Sequence, residues 1–133
     1  MTSWTIYLAW LLACIGTLAS LVVSEWLHIL PCPLCWYQRI ALFPLVWLLG
    51  VGTITPIQHF FRLVAPLPFF GMMVALAQIL LPYLRPLCHS GCSLEPHHGW
   101  ISWMPYVSFL NFFLILLLLW CSRKFFSSSD HES

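Results

Sequence analysis

Long apolar segments that carry almost no charge dominate the sequence. The first runs from Trp4 to Ser24 without a charged residue, and as a helix it would be about 30 Å long, enough to cross the hydrocarbon core of a bilayer. Three similar segments follow at about residues 36–53, 63–83 and 104–121. Such segments must be helices in lipid, because the backbone finds no other hydrogen-bond partner there and four segments are too few for a closed barrel. We therefore predict an all-α membrane protein, a four-transmembrane-helix bundle.

Composition agrees with a single membrane domain over residues 1–133. The chain is 61% hydrophobic and 7% charged, and so few charged side chains do not cover the surface of a soluble domain. The formal net charge is +1, which provides no basic face for nucleic acid. We expect the lipid bilayer, and no nucleic acid, as a partner.

A signal peptide is the alternative interpretation of the first segment. Against it, the segment has no basic region before it, and its apolar stretch is longer than a signal peptide needs. No convincing small-residue cleavage site precedes Glu25. We expect a retained transmembrane helix.

The distribution of basic residues predicts the orientation of the bundle. The spans leave two outer loops, one inner loop and a tail, at residues 25–35, 84–103, 54–62 and 122–133. The inner loop carries Arg62 and the tail carries Arg123 and Lys124, whereas the outer loops contain Arg85 alone. Because cytoplasmic segments are enriched in Lys and Arg, both termini and the inner loop are predicted to be cytoplasmic.

Two close cysteine pairs lie in the predicted outer loops. One pair is Cys32 and Cys35, in Cys-Pro-Leu-Cys, and the other is Cys88 and Cys92, separated by His-Ser-Gly. Disulfides persist outside the cytoplasm and are rare within it. Two thiol pairs on one oxidising face of a membrane protein indicate electron transfer by thiol–disulfide exchange.

The first pair stands where the second helix is expected to begin. Pro31 and Pro33 suit the start of a helix rather than its middle, so Cys35 would lie in the first turn, where the helix N-terminus favours a thiolate. Arg39 is four residues further on, on the same helix face. Its permanent charge would stabilise that thiolate or donate hydrogen bonds to an electron-poor carbonyl.

The second pair has the spacing of an exchangeable disulfide. Cys88 and Cys92 would close a very short ring, and Gly91 permits a tight turn within it. Short and strained disulfides tend to be oxidising, so this pair suits a relay better than a structural staple.

Other interpretations of these cysteines stay open. An inert disulfide is an alternative for either pair, and a Cys-x-x-Cys can be half of a zinc site. A metal site is also conceivable in the second loop, from Cys88, His89, Cys92, His97 and His98. We favour the relay and predict no bound metal, because a tight metal site would hold the thiols that a relay needs.

Two further cysteines lie within or at the end of spans. Cys14 is in the middle of the first span and Cys121 is at the inner end of the fourth. They differ in depth by about 15 Å, which exceeds the reach of a disulfide. We interpret both as packing residues.

The segment Cys32-Pro33-Leu34-Cys35-Trp36-Tyr37-Gln38-Arg39 resembles the signature of the DsbB family of bacterial disulfide bond formation proteins. The closest likeness is to the short BdbC-like members. It extends over nearly the whole chain, since the family has four spans, both termini inside and one cysteine pair in each outer loop. The resemblance implies a protein of the bacterial cytoplasmic membrane that supports disulfide formation in exported proteins.

The resemblance also implies a role for each site residue. The family couples thiol oxidation to the reduction of a quinone, which would be ubiquinone or menaquinone. Cys35 would contact the quinone and form a thiolate–quinone charge-transfer pair, and Arg39 would assist at the quinone. Cys32 would exchange with the second pair. Cys88 would accept attack from an extracytoplasmic thioredoxin-like dithiol oxidase of the DsbA or BdbD type, and Cys92 would resolve that exchange.

The second loop departs from the family's long-loop members, in which its two cysteines are far apart and flank an interfacial helix. The departure leaves open which of Cys88 and Cys92 is attacked first and whether a disulfide forms between the loops. A VKOR-like quinone oxidoreductase is a rival, disfavoured because its Cys-x-x-Cys lies near a later span. A structural membrane subunit with two inert disulfides is another.

Overall fold

The computed structural model describes residues 2–26, 33–55, 59–84 and 103–129, and all regular structure within these ranges is helical. The helices are α1 (Thr2–Trp26), α2 (Pro33–Ile54), α3 (Phe60–Val64), α4 (Pro66–Leu84) and α5 (Met104–Ser129). The prediction of an all-α architecture is confirmed over this part of the chain.

Four apolar helical segments are long enough to cross a membrane: Trp4–Trp26, Leu34–Ile54, Phe60–Leu80 and Met104–Phe125. The predicted number of spans is therefore confirmed. The third segment begins inside the region assigned to the inner loop, because Phe60 is buried in the core. Helix α5 continues into the predicted tail as far as Ser129.

Two prolines interrupt the third span near its start. Pro66 and Pro68 have no N–H group to donate to the preceding turn, so α3 and α4 are separate helices on either side of Ala65. Backbone bonds still cross the junction: Ala65 donates to the carbonyl of Phe61 at 2.9 Å, and Phe69 donates to the carbonyl of Ala65 at 3.4 Å. Pro66 occupies the first position of α4, which a proline tolerates well.

The four long helices form a closed ring in the order α1, α2, α4, α5. Helices α2 and α5 each contact both α1 and α4. The core inside this ring consists mainly of aliphatic side chains with one fully buried aromatic ring, and its members include Ala9, Ala13, Leu45, Leu49, Phe112 and Ile115. The alanines on α1 leave room for larger side chains from α2 and α5. Most remaining large apolar side chains point outward, as expected for helices that face lipid.

A glycine on α4 permits a close fit of an aromatic ring from α5. A Cβ atom at Gly71 would overlap the ring of Phe112 on α5, whose side chain is completely buried. Small residues at helix interfaces bring backbones close together in membranes, where packing rather than hydrophobicity holds helices together. The contact between α4 and α5 therefore depends on the absence of a side chain at residue 71.

We predict that Gly71→Ala lowers the stability of the protein by about 1–3 kcal/mol, because the added methyl group overpacks a rigid contact. Alanine is the better helix former, so propensity alone would give the opposite sign. The measurement is thermal unfolding in detergent. Gly50→Ala is the matched control, since its Cβ would meet Trp10 Nε1 at 3.2 Å, where a small shift suffices. Equal or higher stability of Gly71→Ala would contradict the packing account.

Candidate functional site

Cys35 lies at the N-terminal end of α2. The helix begins at Pro33, so Cys35 is in its first turn, and its side chain is partly buried. Backbone N–H groups and the positive end of the helix dipole favour an anionic sulfur at this position. The other predicted site cysteines, Cys32, Cys88 and Cys92, lie outside the described residues.

A chain of polar side chains connects the Cys35 sulfur to two other helices. Gln78 Nε2 on α4 donates to Cys35 Sγ at 3.4 Å. Gln38 Nε2 on α2 donates to Gln78 Oε1 at 2.6 Å, and Ser108 Oγ on α5 donates to Gln38 Oε1 at 3.0 Å. Successive hydrogen bonds therefore connect α5, α2 and α4 and end at the sulfur. We call the three side chains Ser108, Gln38 and Gln78 the amide chain.

The amide chain lies within the helix bundle rather than on its surface. Gln38 is 8% exposed and is one of few buried polar side chains in the described ranges. A carboxamide in a membrane bundle is costly unless its oxygen and nitrogen have partners. Here the Gln38 oxygen accepts from Ser108 and its nitrogen donates to Gln78, so burial is compensated and three helices are joined.

Arg39 makes its hydrogen bonds with α1. Its Nε donates to Ser20 Oγ at 2.9 Å, and its Nη2 donates to the Ser20 backbone oxygen at 2.6 Å. The sequence places Arg39 one turn from Cys35, but the structure directs the guanidinium to α1 while the Cys35 sulfur contacts α4. Cys35 and Arg39 thus lie at the same end of α2 and interact with different neighbouring helices.

The sequence interpretation missed most of these polar partners. Gln38 lies in the motif from Cys32 to Arg39, but the motif alone indicates no role for it, and Ser20, Gln78 and Ser108 belong to no motif. The available signal was their polarity inside apolar spans, since polar groups within a membrane bundle usually mark packing contacts or function. Gln78 is the one carboxamide in the segment 63–83.

Cys14 and Cys121 form no disulfide, in agreement with the sequence prediction. Cys14 is partly buried on α1, and Cys121 is exposed on α5. Neither belongs to the site around Cys35. The parts of the chain that the structure describes contain no group of three metal-ligating side chains, while the histidine-rich second loop lies outside them.

These features define a class: a multi-pass helical membrane protein with a cysteine at one end of its bundle, held by a helix N-terminus and a side-chain amide. Comparison with protein families gives a specific assignment. Residues 3–121 match the family model described as disulfide bond formation protein DsbB. The chain belongs to the DsbB family, and the resemblance drawn from the motif is confirmed.

Curated relatives carry names that agree with this family. The chain is 33% identical over 126 residues to the "probable disulfide formation protein C 2" of Bacillus anthracis, with 89% of each chain covered. It is 37% identical over 129 residues to the "probable disulfide formation protein" of Chlamydia muridarum, covering 93% of this chain and 96% of the relative. A protein of the same name from Coxiella burnetii is 34% identical over 131 residues, with 87% and 88% covered. No solved structure gives a significant match.

We predict that Ser20 and Arg39 are energetically coupled. Ser20→Ala removes the side-chain acceptor and should cost about 1 kcal/mol of stability, while the bond to the backbone oxygen stays. In a double-mutant cycle with Arg39→Ala, the coupling energy should be about 0.5–1 kcal/mol. The measurement is detergent unfolding of the four variants, with Ser20→Thr as a control that keeps a hydroxyl. Additive effects would contradict a direct Ser20–Arg39 contact.

Proposed function

We propose that the protein is a quinone-dependent thiol oxidase of the bacterial cytoplasmic membrane. It reoxidises an extracytoplasmic thioredoxin-like dithiol oxidase and transfers the electrons to a membrane quinone, so that disulfides form in exported proteins. The observation that carries this proposal is the Cys35 sulfur, which lies at a helix N-terminus and accepts a hydrogen bond from Gln78. Arg39 is one turn further along the same helix, which is apolar enough to span a membrane. Family membership supports it.

The two cysteine pairs have different roles in this proposal. The second pair, Cys88 and Cys92, faces the partner and receives two electrons from its dithiol. A thiolate of the reduced second pair attacks Cys32 and breaks the Cys32–Cys35 disulfide, and the second pair becomes a disulfide again as Cys32 and Cys35 are reduced. Cys35 faces the quinone, which its place inside α2 and the hydrogen bond from Gln78 to its sulfur support.

The residues at this end of α2 fit a quinone. Arg39 is partly buried, and its two bonds to Ser20 leave further N–H groups of the guanidinium without an acceptor among the described residues. A permanent cation with unused N–H donors can stabilise a quinone carbonyl, which gains negative charge on reduction. Cys35 and Arg39 would hold the quinone between them. When bound, it supplies the acceptor for the two electrons and two protons that leave a dithiol.

The energetics of thiol exchange favour a non-protein acceptor. Thioredoxin-like oxidases of this kind can have reduction potentials of about −120 mV, which makes them strongly oxidising. Each ~30 mV uphill lowers the equilibrium constant of a two-electron exchange about tenfold. Another protein disulfide would therefore reoxidise such a partner poorly. A membrane quinone that accepts the electrons makes the series of thiol–disulfide exchanges favourable.

We predict that Cys32→Ser and Cys35→Ser abolish quinone reduction by the purified protein when it is given a reduced thioredoxin-like partner. Both changes remove a sulfur through which the electrons pass. The measurement is the loss of quinone absorbance, started by adding the partner. Cys14→Ala and Cys121→Ala are the matched controls and should keep the rate within about twofold, because both lie away from the site.

Two outcomes would overturn this function. Quinone reduction that survives Cys35→Ser would exclude the proposed route of the electrons. Stoichiometric zinc bound through reduced Cys88 and Cys92 would indicate a metal-binding module instead. An inert structural subunit would form no mixed disulfide with a reduced partner, so thiol trapping distinguishes that case.

A further inference from the structure

We propose that Gln78 is a catalytic residue that holds the Cys35 thiolate through its side-chain N–H, and that Gln38 and Ser108 are positioning residues that orient it. The inference rests on the proposed function in one respect, which is that Cys35 is the sulfur that alternates between disulfide and thiolate. The sequence motif includes Gln38 alone of these three residues. The other two come from α4 and α5.

The hydrogen bonds of the amide chain all have the same direction. Ser108 donates to the Gln38 oxygen, Gln38 donates to the Gln78 oxygen, and Gln78 donates to the Cys35 sulfur. Each carboxamide accepts on the side away from the sulfur and donates on the side toward it. Aligned hydrogen bonds polarise one another in a low-dielectric interior, so the final N–H is a better donor to an anion than an isolated amide.

The partners of Gln78 on both sides determine its orientation. If Gln78 alone were rotated, its oxygen would face the thiolate and its nitrogen would face the donating nitrogen of Gln38, and both contacts would be repulsive. Gln38 is held in its own orientation by Ser108, whose hydroxyl donates to the Gln38 oxygen. The packing of α5 against the bundle is thereby connected to the donor at the sulfur.

Few charged groups compete with the amide chain at this end of the bundle. Titratable side chains on the described parts of the packed helices here are Glu25 on α1, Tyr37 and Arg39 on α2, and Tyr106 on α5. Glu25, Tyr37 and Tyr106 are exposed, and Arg39 is bonded to Ser20. The described side chains of α4 include no titratable group, so its contribution at the sulfur is the neutral amide of Gln78.

The thiolate arises in a defined step. An incoming thiolate bonds to Cys32 Sγ, the Cys32–Cys35 bond breaks, and Cys35 leaves with the electron pair as a thiolate. A donor fixed beside Cys35 stabilises this leaving group and lowers the barrier to exchange. The second thiol of the incoming pair then attacks the mixed disulfide, so the incoming pair becomes a disulfide and Cys32 is released as a thiol. Oxidation of the reduced Cys32 and Cys35 by the quinone removes two electrons, the two protons follow, and their disulfide forms again.

The test is the pH profile of Cys35 alkylation in the reduced protein, followed by mass spectrometry of the peptide that contains Cys35. In Gln78→Met, which has similar length and no donor, we expect the half-maximal pH to rise by about one unit, a tenfold loss of thiolate at neutral pH. Gln38→Met should give a smaller rise and Ser108→Ala the smallest, because they act through Gln78.

Asn111→Leu is the matched control, since this carboxamide lies one turn from Ser108 but packs against Gly16 of α1. It should leave the profile unchanged. Gln78→Glu is a second variant, for use if Gln78→Met fails to fold. It keeps the length of the side chain and places an anionic oxygen at the sulfur, so the half-maximal pH of alkylation should again be higher than in the unchanged protein. An unchanged profile in the folded Gln78 variants, or an equal rise in Asn111→Leu, would overturn the proposal.

The alkylation measurement requires neither quinone nor partner. A rise in Gln78→Met in a protein that reduces no quinone would keep the role of Gln78 at the sulfur and reject the proposed function. Normal quinone reduction with an unchanged alkylation profile in Gln78→Met would reject only the role of Gln78.

Discussion

Lipid offers no hydrogen bonds, so a large polar side chain within this bundle needs hydrogen-bond partners inside the protein. Gln38 illustrates the constraint: its oxygen and its nitrogen both have partners, one on α5 and one on α4. Arg39 satisfies the same requirement on α1 through Ser20. Two adjacent residues of α2 therefore join it to the three other long helices, and Cys35 lies one turn before them.

This arrangement explains how an apolar bundle holds the Cys35 sulfur in a defined place. The core is made of aliphatic and aromatic side chains, with Gly71 and the small residues of α1 allowing close approach. Such packing positions the helices but provides no polarity at the sulfur. The polarity comes from Gln78 and from the N-terminus of α2, and both depend on the register in which the helices pack.

The sequence predicted the architecture well, because hydropathy over long segments is the strongest signal that a membrane protein carries. It also predicted the start of α2 through Pro33 and therefore the position of Cys35. The motif around Cys35 indicated the family, which the comparisons confirm. Gln78 and Ser108 were missed because their role depends on contacts between residues far apart in the chain, and spacing along one helix says nothing about such contacts. For the same reason the partner of Arg39 on α1 was not foreseen.

The central claim is that oxidation of a dithiol and reduction of a quinone occur together in this protein. The most direct measurement is anaerobic stoichiometry, with the purified protein, a reduced thioredoxin-like partner and a limiting amount of quinone. We expect that each disulfide formed in the partner is matched by one quinol, and that oxidation stops when the quinone is consumed. Disulfide formation that continues after the quinone is exhausted, or that produces no quinol, would contradict it.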